Sequence, residues 1–259
     1  MSPPVDPVAS DPILPERTDV VIIGGGIIGV STALFLAEKG IAVVLCEKGA
    51  IGGEQSSRNW GWCRTMGRDE SEIPLAMESL RLWRGMNRRI NRETGFRQPG
   101  IMYLCQTGAE IAAQEAWLGQ ASQYQVDARL LKGPALEAVM PGASGSFLAG
   151  MHTPSDGKAE PALAAPAIAE AARDHHAQIF TKTAVRGIER TGGRVSGVVT
   201  ERGRIACQSV VLAGGAWSRL FAGNAGLDLP ALKVLGSVFR TKPLQGPEIT
   251  AAGSVFAFR

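Results

Sequence analysis

The sequence predicts an α/β protein whose N-terminal part is organised around a parallel sheet. Three adjoining observations predict this. Residues 19–23 are a β-branched run ending in glycine, residues 27–39 carry a helical pattern closed by Gly40, and residues 41–47 form a second apolar run. Strand, glycine turn, helix and strand in that order make a βαβ unit. Such a unit forces its two strands parallel and covers both faces of the sheet.

The bulk composition bounds the rest. A chain of 259 residues suffices for one large or two ordinary domains, and 45% hydrophobic with 20% charged residues is the balance of a chain with a true core. A net charge of +3 argues against a dedicated nucleic-acid binder. The densest basic stretch holds Arg81, Arg84, Arg88, Arg89 and Arg92 opposite Leu80, Trp83 and Ile90, which reads as the solvated face of a helix. Cys46, Cys63, Cys105 and Cys207 are scattered with no CxxC pair, so reduced thiols are expected and neither a disulfide framework nor a zinc site is. No His/Cys spacing suits another metal, and His175 and His176 sit beside a helix end where cations are common. Residues 1–16, rich in proline, predict a flexible tail and not a secretory signal. Glu38 and Lys39 interrupt the apolar run 20–46, so no integral membrane segment is expected. The expected location is cytoplasmic, with a peripheral place at the inner membrane face as the alternative.

Farther along, residues 50–72 read as irregular. Helices are expected over 73–94, 108–124, 133–139, 162–174 and 216–222. Strands are expected over 100–106, 146–153, 178–180, 184–190, 195–201, 209–213, 234–241 and 255–258, with a loop at 154–161. This order gives a discontinuous first domain, 17–74 and 146–228, interrupted by a second α+β domain, 75–145 and 229–259. The chain stops inside an expected strand, which reads as a C-terminal truncation.

The turn after the first strand carries the chemistry. Gly24 permits the tight bend, Gly26 lets the backbone approach a pyrophosphate, and Gly29 lets the helix lie close to the strand. The helix N-terminus then offers free N–H groups to phosphate oxygens. Glu47, at the end of the second strand, suits ribose hydroxyls and disfavours a ribose phosphate. This is a Rossmann-like dinucleotide fingerprint, and by itself it does not separate FAD from NAD. An NAD-dependent dehydrogenase would need only the glycines and Glu47.

The segment Gly52-Gly53-Glu54-Gln55-Ser56-Ser57-Arg58-Asn59-Trp60-Gly61-Trp62-Cys63-Arg64 resembles the second flavin-contact segment of the D-amino acid oxidase / sarcosine oxidase family. The resemblance continues through Thr153-Pro154-Ser155-Asp156-Gly157, through Thr183-Ala184-Val185 with Gly187-Ile188, and through the turn Val210-Val211-Leu212-Ala213-Gly214-Gly215-Ala216-Trp217-Ser218. It implies FAD as cofactor. By residue it implies cofactor contacts at Gly24, Gly26, Gly29, Glu47, Lys48, Ser56, Ser57, Gly61, Val185, Ala213 and Gly214. It makes the first domain FAD-binding and the second a substrate domain, incomplete here. The family's third flavin segment, glycine-rich with a downstream Pro-Asp, does not occur in this sequence.

The function implied is oxidation of the C–N bond of a small amino or imino acid by hydride transfer to flavin. A substrate carboxylate calls for a guanidinium partner, with Arg64 first and Arg58, Arg240 and Arg259 behind it. Trp60 and Trp62 fit a pocket wall or a core equally. The rival expectation is a non-catalytic fragment, or a flavoprotein subunit completed by a partner subunit or an electron acceptor. Ser56 and Ser57 lack the GxSxG elbow of a hydrolase nucleophile.

Overall fold

The computed structural model describes residues 4–235, 241, 242, 245, 246, 248–253 and 256–258. In chain order the first elements are β1 (Val20–Ile23), α1 (Ile27–Ala37), β2 (Val43–Cys46), β3 (Trp62–Cys63), α2 (Ile73–Ile90), β4 (Ile101–Cys105) and α3 (Gly108–Ala121). Next come β5 (Arg129–Leu131), α4 (Gly133–Val139), β6 (Ala149–Thr153), β7 (Gly157–Lys158), α5 (Pro161–Asp174) and β8 (Gln178–Phe180). Then follow β9 (Val185–Thr191), β10 (Arg194–Thr200), β11 (Gly203–Ala206), β12 (Ser209–Leu212), α6 (Ser218–Asn224), β13 (Thr250–Ala252) and β14 (Ala257–Phe258).

These elements form two compact units, the first Met1–Asn59, Ile90–Thr94 and Glu160–Val238, the second Trp60–Arg89, Gly95–Ala159 and Phe239–Arg259. In the first unit β12-β1-β2-β8 is a parallel sheet, with Ile23 opposite both Leu212 and Cys46. Its strands are short, apolar and β-branched because both faces are covered. On α1, Gly29, Val30, Ala33, Leu34 and Ala37 recur at helical spacing and are buried. A second, antiparallel sheet runs β11-β10-β9. Its first hairpin turns through Gly192 and Gly193, both at positive φ, as a two-residue primed turn requires. Val21, Val44, Phe180, Val198 and Ile205 share one core between the two sheets.

The second unit is built on the mixed sheet β14-β13-β4-β6-β5, with the small ladder β3-β7. One sheet face buries Met102, Leu104 and Ala251 with Leu136 of α4, and the other buries Ile101 and Met151 with Met66. The helix α3 opens on a capping box, Thr107 accepting from Glu110 N and the Glu110 carboxylate accepting from Thr107 N.

Several expectations need correction. The N-terminal segment is not loose over its described part. Asp6 N donates to Ala162 O, Asp11 N to Ile179 O, and Ala206 N to Glu16 O, while the Arg202 guanidinium holds the carbonyls of Asp11 and Pro12. The unit boundaries also differ from the predicted ones. Residues 60–74 and 146–159 lie in the second unit because β3 pairs with β7 and β6 pairs with β4 and β5. Residues 90–94 lie in the first, where the Arg92 guanidinium pairs with Asp174 and Thr94 O accepts from Glu160 N. The expected irregular stretch 50–72 contains β3, and the expected loop 154–161 contains β7. Of the expected strand 234–241, Val234 and Leu235 are not extended ladder residues and 236–240 lie outside the described residues. Of the expected strand 255–258, Ala257–Phe258 is β14 and Val255 lies outside them.

Candidate functional site

The carboxyl ends of β1, β2 and β12 meet at the glycine turn. Gly24 N donates to Cys46 O at 2.8 Å, and Ala213 N to Ile23 O at 2.9 Å. Gly24 has φ +110°, and a Cβ there would stand 2.4 Å from Ala213 O. A Cβ at Gly29 would stand 1.9 Å from Gly24 O. Both positions exclude any side chain, the first for conformation and contact, the second for contact alone. At Gly26 the nearest atom to such a Cβ is Ser56 Oγ, 3.2 Å away.

The helix α1 starts from Gly26 with no side chain of its own segment capping it and no acidic residue in its first turn. Its dipole end therefore stays positive and suits an anion. Ser56 approaches from 29 residues away and accepts the Ile27 N–H at 2.8 Å, so its hydroxyl stands at this helix end. Ser57 points elsewhere, into its own turn, and donates to Glu54 O.

Glu47 is buried. Its Oε2 accepts Gly25 N and its Oε1 accepts Gly49 N, both at 2.7 Å. Each oxygen keeps a further lone pair. The carbonyl of Glu47 accepts Thr183 N at 2.8 Å, which brings the start of β9, and so Val185, alongside it. Lys48 pairs with Glu54 at 2.6 Å and lies 4.1 Å from the centre of the Trp217 ring. Because Lys48 follows β2 and Trp217 follows β12, which flank β1 on opposite sides, this side chain crosses the end of β1. Gly214 precedes the turn that carries Trp217 and accepts its N–H at 3.0 Å. Gly24, Gly26, Gly29, Glu47, Lys48, Ser56, Val185, Ala213 and Gly214 are thus gathered around one sheet end.

Gly61 and Arg64 belong to the second unit. Gly61, at φ +70°, accepts Ala159 N through its carbonyl at 2.8 Å. Arg64 donates to Met66 O and lies 5.8 Å from the centre of the Tyr103 ring. Trp60, Trp62 and Tyr103 form an aromatic row with centroid spacings of 5.2 and 6.1 Å. Trp60 is exposed, whereas Trp62 is half-buried with no partner for its Nε1 among the described residues. Arg58 stays in the first unit in an exposed ion pair with Glu54, and Arg240 and Arg259 lie outside the described residues.

Two buried residues of the second unit were not singled out by sequence reasoning. Asp156 is fully buried and accepts Thr65 N at 2.7 Å, Thr65 Oγ1 at 2.9 Å and Met66 N at 3.1 Å. Burial pushes its carboxyl above the ordinary aspartate value, against the pull of those hydrogen bonds. Its only signal in the sequence was its place in the Thr153–Gly157 motif. His152 is buried, and neither ring nitrogen has a hydrogen-bond partner among the described residues. Burial also pushes the thiols of Cys46 and Cys63 up to about 12, which makes them inert at neutral pH. No described helix is long and apolar enough to cross a membrane.

The chain matches the profile of DAO, FAD dependent oxidoreductase, over residues 19–258. It is 25% identical to sarcosine oxidase subunit beta of Rhodobacter capsulatus over 239 residues, covering 89% of this chain and 57% of that protein. It is 31% identical to glycine oxidase of Geobacillus kaustophilus over 234 residues, covering 85% of this chain and 60% of that one. Among solved structures, L-amino acid deaminase from Proteus myxofaciens in complex with anthranilate superposes with a TM-score of 0.87 at 34% identity, over 98% of this chain and 59% of that chain. The chain thus spans little more than half the length of each. With its parallel sheet, glycine turn and nearly full-length profile match, the chain belongs to the DAO family of FAD dependent oxidoreductases.

Proposed function

We propose that this protein binds FAD and oxidises the C–N bond of a small amino or imino acid. The observation that carries the reading is the end of β1. There a glycine turn with no room for side chains meets a helix N-terminus free of acidic residues, flanked by Ser56 and Glu47. This arrangement fits a dinucleotide. The backbone of Gly24 and Gly26 and the Ser56 hydroxyl would face the pyrophosphate. The spare lone pairs of Glu47 would take ribose hydroxyls, and the negative charge of that carboxylate would repel a ribose phosphate. Lys48, Val185, Ala213 and Gly214 are assigned to the same set, with Gly29 holding the helix against the strand.

FAD, when bound, supplies the acceptor for the α-hydrogen and its electron pair, leaving an imine that water hydrolyses. The chain's own part is to hold the substrate still and oriented. We assign Arg64 to the substrate carboxylate, because its guanidinium has no carboxylate partner among the described residues and a planar fork binds such a group in bidentate fashion. The test is the visible spectrum of the purified chain, repeated after anaerobic addition of mixed amino acids. A bound flavin that bleaches is expected, with bleaching slowed by Arg64→Ala. A chain that stays colourless with added FAD would reject the cofactor reading.

A second reading is favoured by the likeness to a protein named as a subunit, sarcosine oxidase subunit beta. In it this chain works with a partner polypeptide that completes it. Flavin binding and amino-acid-driven bleaching that appear only when such a partner is co-expressed would support it. We place the protein in the cytoplasm on the same reading.

A further inference from the structure

A fully buried carboxylate normally finds a cation, and Asp156 has one close at hand in Arg64, whose charge acts on it. Yet no ion pair joins them. Asp156 Oδ1 accepts both the N–H and the hydroxyl of Thr65, and Oδ2 accepts Met66 N. The aspartate is itself anchored in the turn between β6 and β7, its N–H on Thr153 O and its carbonyl accepting Gly100 N, each at 3.2 Å. The guanidinium next to the clamped pair takes Met66 O and the Tyr103 ring instead. Gly67, at φ +66°, turns the chain away where a Cβ would meet Tyr103 at 3.0 Å and Arg64 Nη1 at 3.3 Å.

We propose that Asp156 is a positioning residue for Arg64: by clamping Thr65 and Met66 it fixes the carbonyl that receives the guanidinium, and by spending its acceptors on that loop it leaves Arg64 open to a carboxylate ligand. The proposal rests on the reading of Arg64 given above and adds the group that sets its place. Thr65 is the second member of the clamp, since it supplies two of the three donors.

The experiment compares the full chain with its Asp156→Asn and Thr65→Val variants in two measurements. The first is the rate of phenylglyoxal modification at Arg64, followed by peptide mass spectrometry with exposed Arg88 as internal reference. Losing one charge-assisted hydrogen bond should raise the Arg64 rate by about tenfold in Asp156→Asn. A smaller rise is expected in Thr65→Val, which removes a single donor and serves where Asp156→Asn does not fold. The second is benzoate affinity, read from tryptophan fluorescence. Asp156→Asn should weaken it by about tenfold, and should add nothing on an Arg64→Ala background. A fall in melting temperature with an unchanged Arg64 modification rate would show a merely structural clamp and overturn the proposal, as would additive effects in the double variant. If benzoate fails to bind the wild type, or binds Arg64→Ala equally well, the ligand role of Arg64 falls, and the modification rates alone decide the positioning role.

Discussion

His152 lies on β6 with its ring buried and both nitrogens without a partner among the described residues, and its Nε2 is 2.6 Å from where a Cβ at Gly100 would stand. Burial holds its pKa below the ordinary 6.5, Arg129 pushes it the same way and Asp127 opposes them. The unfolded chain therefore takes up the proton first as pH falls. The stability contributed by the neutral ring is complete above 6.5 and declines as pH drops from there toward the folded value. We expect the melting temperature to fall between neutral pH and about pH 5, and His152→Gln, which cannot titrate, to flatten part of that slope. Parallel pH profiles for the two proteins would show that His152 is not the group responsible. Gly100 belongs to the same prediction, because any side chain there would drive into the imidazole.

At the scale of the element, α1 depends on a residue outside it. The Ile27 N–H is accepted by Ser56 Oγ, a capping contact made from a distant turn. Ser56→Ala should cost about 1 kcal/mol in urea unfolding, the usual loss for a helix cap. Ser57→Ala, whose hydroxyl only closes its own turn, should cost less. Equal losses would deny Ser56 its capping role. The contrast also shows what the sequence could and could not disclose. The elements β1, α1 and β2 were legible because each is specified locally, by β-branched runs, helical spacing and a contiguous glycine turn. The short strands β3, β5 and β13 were not, since runs of two or three residues become strands only through their partners. The N-terminal segment was misread for the same reason: its order comes from Arg202 and from the edges of other elements, which no local pattern announces. Within the site, the Gly24–Gly29 turn could be read directly. The clamp on Thr65 and Met66 could not, because Asp156 is 91 residues from the first and 90 from the second.

For the whole molecule the deciding feature is a run of bare apolar side chains after α6. Leu232 is 89% exposed, Val234 93% and Leu235 100%, and Leu227 and Leu229 are exposed beside them. Isolated exposed leucines mean little, but several in one short stretch make a patch of the kind that draws chains together. Removing each such side chain from water is worth roughly 2 kcal/mol, so burying even two or three of them favours association at working concentrations. A net charge of only +3 on 259 residues offers little repulsion against it. This chain should therefore self-associate in a concentration-dependent way, seen as a rising weight-average mass in sedimentation velocity. Leu232→Glu combined with Leu235→Glu should restore a monomer without lowering the melting temperature, because neither side chain contributes to a core. Lys233 stands between them, 5.5 Å from the centre of the Trp217 ring. A wild-type chain that stays monomeric across the concentration range would reject this prediction. A double variant that still associates would move the contact to the β14 edge, where Phe256 is exposed.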